Sequence, residues 1–199
     1  MSPYLIVGLG NPGLSYENTR HNVGFKVVKS LAKKYGLKFK DEKKFKAKVA
    51  KGNISGFEVY LLMPQTYMNE SGVSVKKAKD YLRIDIKNIL IVVDDADIDF
   101  EEFRLKEDST AAGHRGLKSI ETHLNTKNYT RLRVGIGREK KALKTYVLDR
   151  FTKTEKEKLK EIIGKAISFI ELYLEKGIKI AANKANVKLK KNVEEINER

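Results

Sequence analysis

Apolar positions along the chain change rhythm several times, alternating between short continuous runs and recurrences at three or four residues. Tyr4–Val7 is a run of strand length, stopped by glycines. In NVGFKVVKSLAKKY, residues 22–35, Val23, Val27, Leu31 and Tyr35 stand four apart, which predicts an amphipathic helix closed by Gly36. Lys46–Ala50 and Glu58–Leu62 read as paired strands around the turn-rich KGNISG. Beyond Pro64, helical spacing from Thr66 to Leu82 puts Val73, Ala78, Tyr81 and Leu82 on an apolar side. NILIVV, residues 88–93, is continuously apolar, as a central strand covered on both faces must be. It runs out into DDADID. Phe103–Leu105 and Arg131–Ile136 are further strands, with a helix over His114–Leu124 between them. From Thr154 onward Leu159, Ile162, Ile163, Ala166, Ile167, Ile170, Leu172 and Leu174 predict a long helix. After Gly177 the chain is lysine-rich and polar, a weak helix or a loose basic tail over 178–199. Strands alternating with helices, without repeat or linker, make one α/β domain over 1–199 with a mixed sheet and a helical C-terminus.

Composition narrows the class. At 199 residues and 41% hydrophobic, the chain suits one globular domain with a real core. No run approaches the ~18 apolar residues of a membrane span, and no secretion signal is visible. Cysteine is absent, which excludes disulfides, thiol nucleophiles and thiolate metal sites, and a cytoplasmic setting is expected. Lys and Arg number 41 against 26 Asp and Glu, a net charge of +15. Solvated lysines explain part of such a surplus. A polyanionic partner is the stronger reading, and charge alone does not choose between nucleic acid and a membrane surface.

The segment GLGNPG, residues 8–13, has the G-x-G-x-x-G form of dinucleotide-binding turns. Its context argues otherwise. The following LSYENTRHN is polar and opens no helix for a pyrophosphate, and no acidic residue ends a second strand ~20 residues on. Pro12 also removes an amide donor. What remains is a strand and a turn that hold Asn11 at the carboxyl edge of a sheet, where ligands bind in α/β folds. Tyr16, Arg20 and His21 follow in the same loop. Asp94, at the end of the NILIVV strand, emerges at that edge if the two strands are parallel neighbours. A carboxylate on one imidazole nitrogen would fix the tautomer and support a proton taken from water by the other. A serine elbow of G-x-S-x-G form is absent, as is H-x-x-x-H metal spacing. MPQTYMNESG, residues 63–72, reads either as a helix start capped by Thr66 or as a seat of Tyr67 and Met68 presenting the Asn69 amide. Spacing leaves both open.

Five ordered blocks, VGLGNPGLSYENTRHNVGF, MPQTYMNESG, VVDDADI, GHRGLKSI and RLRVGIG, resemble the bacterial-type peptidyl-tRNA hydrolase family over nearly the whole chain. The resemblance implies a twisted mixed sheet flanked by helices in a single globule. It also implies a monomer without cofactor, metal or obligate protein partner, acting away from membranes on the acceptor stem and 3′ end of peptidyl-tRNA. By position, His21 resembles the general base, Asp94 the carboxylate behind it, and Asn11 the residue reading the peptide side. Tyr16, Tyr67, Met68 and Asn69 match substrate-contacting positions, and Lys106 and Arg133 match basic residues near the tRNA phosphates. One departure matters most: GHRG stands where the family usually has GHNG, so Arg115 replaces a neutral asparagine. Arginine donates only and carries charge, which motivates a second reading as a non-catalytic RNA-binding relative. AAG also replaces a glycine pair, and DFEE a proline-glycine turn.

Overall fold

The computed structural model describes residues 2–138 and 142–188. In chain order the elements are β1 (Tyr4–Gly8), α1 (Val23–Lys34), β2 (Lys40–Glu42), β3 (Ala47–Ile54), β4 (Phe57–Pro64) and α2 (Ser71–Leu82). There follow β5 (Ile89–Asp95), β6 (Phe103–Lys106), α3 (Arg115–Leu124), β7 (Thr130–Gly135), α4 (Leu143–Tyr146) and α5 (Lys153–Ala185). Seven strands form one sheet in the order β2-β3-β4-β1-β5-β7-β6. Strands β4, β1, β5 and β7 run parallel, while β3 pairs antiparallel with β4 and β6 with β7. The expected mixed sheet is therefore present, and β1 and β5 are parallel neighbours with Gly8 opposite Val92.

Side chains of β1 and β5 alternate between two cores. Ile6, Leu90 and Val92 meet Val27, Val28 and Leu31 of α1 and Ile162, Ala166 and Ile170 of α5. Leu5, Val7, Ile89, Ile91 and Val93 meet Val75 and Ala78 of α2 and Leu117 and Ile120 of α3. Each Val, Leu or Ile buried in this way contributes about 1.5–3 kcal/mol, so both layers assemble on these two strands.

The glycine turn serves packing. A Cβ on Gly8 would fall 2.3 Å from the Gly24 carbonyl oxygen, and one on Gly24 would fall 2.4 Å from that of Val92. Helix α1 thus sits backbone against backbone on the strand ends, held by Phe25 N–H donating to Leu9 O at 3.2 Å.

Three local readings need correction, and the open reading beyond Gly177 resolves to helix as far as Ala185. The strand read as ending at Ala50 continues to Ile54, and only Ser55 and Gly56 turn, both at positive φ. Thr66 does not cap the turn: its hydroxyl is buried without a partner among the described residues, and the helical turn starts at Met68. Tyr81 lies on the exposed side of α2, under the Lys44 ammonium and against Phe45, while Val75 takes the core position. Beyond Gly177, whose φ of 78° kinks α5, the chain stays helical to Ala185. The stripe Ile178, Ala181, Ala182 and Ala185 packs on the core there, and the Asn186 amide bonds both the N–H and C=O of Leu105. Residues 189–199 of the expected tail lie outside the described residues.

Candidate active site

His21 lies in a single helical turn, Arg20–Asn22, that leads into α1. Two backbone bonds hold this turn to the segment before α5, from Arg20 N–H to Asp149 O at 3.0 Å and from His21 N–H to Val147 O at 2.8 Å. The Arg20 side chain reinforces the tie. It is buried over the Tyr146 ring and pairs with Glu155 at 2.8 Å, and Glu155 also closes the capping box of α5 with Thr152.

From this position Nδ1 of His21 reaches both oxygens of Asp94 at 2.9 Å. Asp94, next to last in β5, is 2% exposed. A second imidazole shares the carboxylate, with His114 Nε2 at 3.0 Å from Oδ1. Nδ1 of His114 accepts from the Gly116 and Leu117 N–H groups at the start of α3, at 3.1 and 3.4 Å. An accepting Nδ1 carries no proton, so the network assigns the hydrogen to Nε2, which donates to Asp94. By the same accounting His21 donates from Nδ1 and keeps a lone pair on Nε2. Burial alone would raise the Asp94 carboxyl, but the two imidazoles outweigh it and hold it well below the usual carboxylate range. For His21, burial works downward. The charge and hydrogen bond of Asp94 prevail and raise its proton affinity, against a smaller opposing effect of Arg115.

Asn11 is fixed on three sides. Its N–H donates to Asn22 Oδ1 at 2.8 Å, its C=O accepts from Asn22 Nδ2 at 2.9 Å, and its own Oδ1 accepts from Met68 N–H at 2.8 Å. This last bond caps the turn Met68–Glu70 and leaves the Asn11 NH2 as a donor for a ligand. Met68 is a core residue, buried with its sulfur against Gly116. That contact docks the turn carrying exposed Asn69 against the start of α3. Tyr16 meets the exposed Tyr67 edge to face at 6.4 Å.

Of the residues singled out from sequence, His21, Asp94, Arg115 and Arg133 line one hollow of about 300 Å³, together with Leu143 and Val147. Arg115 is exposed at the first residue of α3. Arg133 is 9% exposed and spends its guanidinium on Asp95 and the Thr110 carbonyl. Asn11 and Asn22 line a second hollow. Lys106 stands apart, exposed at the end of β6 opposite Arg131. His114 and Asn22 were not singled out, and Arg20 was named in the loop without a role. The one available signal was their place inside GHRG and TRHN, because their partners are distant in sequence. His21, Asp94 and His114 also have the spacing of a metal-binding group, but ligation there would displace both protons that now join them.

The chain matches the family model described as Peptidyl-tRNA hydrolase over residues 5–194. It is 41% identical over 183 residues to the Peptidyl-tRNA hydrolase of Clostridium acetobutylicum, with 92% of this chain and 97% of the relative covered. Against the protein of that name from Clostridium beijerinckii identity is 42%, with 92% and 95% covered. The crystal structure of peptidyl-tRNA hydrolase from Acinetobacter baumannii superposes with a TM-score of 0.88 at 39% identity, covering 94% of this chain and 96% of that one.

Proposed function

This chain belongs to the peptidyl-tRNA hydrolase family, and we propose that it hydrolyses the ester between peptide and tRNA with His21 as general base. Nε2 of His21 takes a proton from water as the oxygen attacks the ester carbonyl. Collapse of the tetrahedral oxyanion expels the ribose oxygen, which takes the proton back from His21, and peptide and tRNA leave. Asp94 holds the imidazole in the useful tautomer and stabilises its charged form. The Asn11 NH2 and the Asn69 amide serve as neutral donors to the peptide carbonyls or the oxyanion. Tyr16 and Tyr67 flank the substrate, with Met68 fixing the turn beneath. Exposed Arg115 meets the 3′ end beside His21 and exposed Lys106 meets the acceptor stem farther off, with phosphate contacts whose strength falls with salt, while Arg133 must exchange its Asp95 bond to join them. The reading carries with it a monomer working in the cytoplasm.

The observation that carries the proposal is the direct bond of His21 to a buried Asp94 in a hollow open to ligand. No observation favours the non-catalytic reading that Arg115 motivated. The experiment is cleavage of an N-blocked aminoacyl-tRNA by the purified protein. Turnover by the native chain and a fall of about 10²–10⁴ in His21→Ala, with tRNA binding kept, are expected. An ester left intact at high protein concentration defeats the proposal.

A further inference from the structure

The second hollow, about 350 Å³ in volume, carries a charge arrangement that the hydrolytic step leaves unused. Its apolar lining includes Phe25 and Met63, and its charged side chains are Lys26, Lys29, Lys48 and Glu17. Three ammonium groups therefore face one carboxylate. That carboxylate lies 3.4 Å from Lys29, and with both side chains about half exposed (48% and 49%) the pair is weak. Lys26 donates to an amide oxygen, Asn18 Oδ1 at 3.1 Å, and burial pushes its proton affinity down against the opposing charge of Glu17. Lys48 stands opposite Met63 in the β3–β4 ladder and across from Asp41 in the β2–β3 ladder, and no ion pair ties it to that aspartate among the described residues. Like charges gathered in a concave, partly apolar space call for an anion of opposite sign.

We infer that this hollow is a subsite for an acidic side chain of the peptide, an inference that rests on the function proposed above. Its position decides for peptide over phosphate. Asn11, whose free amide faces the peptide in that reading, lines this hollow. Arg115, an exposed planar donor of the kind that suits phosphate best, lines the other one with His21. The tRNA end thus lies by His21, and the acyl arm passes Asn11 toward lysines that can meet a carboxylate while Phe25 and Met63 cover its methylenes.

The test compares two pairs of N-acetylated dipeptidyl-tRNAs with the same tRNA and the same esterified residue. The preceding residue is Asp or Asn in one pair and Glu or Gln in the other. The acidic member should have the higher kcat/KM by about fivefold at low salt. The ratio should fall to about one in the double variant Lys29→Gln, Lys48→Gln and drop below one in Lys48→Glu. The same ratio read as Kd on His21→Ala protein needs no turnover. Equal values for acid and amide in the native chain overturn the subsite. So does a Lys48→Glu change that lowers all four substrates alike, since the lysines would then be holding phosphate. Absence of cleavage with unequal affinities would instead overturn the proposed function and leave the subsite standing.

Discussion

Nε2 of His114 lies 3.0 Å from the same Asp94 oxygen that Nδ1 of His21 reaches at 2.9 Å, so one buried anion orients two imidazoles. His114 does two jobs at once, because its other nitrogen caps α3. Two substitutions separate them. His114→Ala loses both the cap, worth about 1 kcal/mol, and a bond to a charged group, worth about 1.5–3 kcal/mol. His114→Asn offers a new capping oxygen but is too short for Asp94. Thermal unfolding should show the asparagine variant regaining only the cap's share, about 1 kcal/mol. Cleavage should stay down by roughly tenfold or more in both. Full activity in His114→Asn would mean that Asp94 needs no second partner.

Proton affinity at His21 sets the acid limb of the rate. The base must be neutral, and Asp94 raises its affinity above the ordinary 6.5. The plot of kcat/KM against pH should therefore rise through a midpoint above 6.5. Arg115→Asn removes an opposing cation and should move that midpoint further up. A midpoint that stays or falls contradicts the assignment. Stability follows the same linkage. The contribution of His21 is complete below 6.5 and lost as pH rises through its folded value. That of Asp94 is complete above 3.8 and lost as pH falls through its depressed one.

Arg20 and Glu155 tie the catalytic turn to the start of α5, with side chains 4% and 17% exposed. Removing the charge of Glu155 leaves a buried guanidinium whose Nε already lacks a partner among the described residues. Glu155→Gln should cost about 3 kcal/mol, the low end for a broken buried pair because Glu155 is partly exposed. Urea unfolding measures it. Turnover should fall too, since the tethered segment supplies the Val147 carbonyl to His21. An unchanged unfolding midpoint would show the tie to be dispensable.

Gly24→Ala should disturb stability and activity together. The new methyl would meet Val92 O at 2.4 Å and Leu9 N at 2.5 Å, backbone atoms that cannot turn aside. Overpacking of this kind costs about 1–3 kcal/mol or more and lifts α1, with His21 at its foot, off the strand ends. Gly164→Ala is the control. Nothing lies within 4 Å of its added methyl, and it should stabilise helix α5 by about 0.5–1 kcal/mol. Equal melting temperatures for the two variants would refute the close-packing role of Gly24.

Much of this was legible in the chain. NILIVV announced a strand covered on both faces, and the four-residue spacing of Val23, Val27 and Leu31 announced α1. Both signals are local. The errors arose where distant partners override local preference. The cap of the Met68 turn comes from Asn11, 57 positions away, and not from Thr66. Tyr81 gives up the core because Phe45 and Lys44 cover its ring from outside. Beyond Gly177 helix prevailed over loose tail because the stripe from Ile178 to Ala185 packs on the core.

The sequence by itself determined the alternation of strands and helices, the basic surplus and the residue types available for acid–base work, since periodicity, charge and chemistry belong to each residue and its neighbours. Only the tertiary structure decided that His21 and Asp94, 73 positions apart, share a bond and that His114 joins them. It also decided that Arg115 faces this pair while three lysines face Asn11. Such meetings depend on strand order and on the backbone contact of Gly8 with Gly24, and no local pattern encodes a distance between remote parts of a chain.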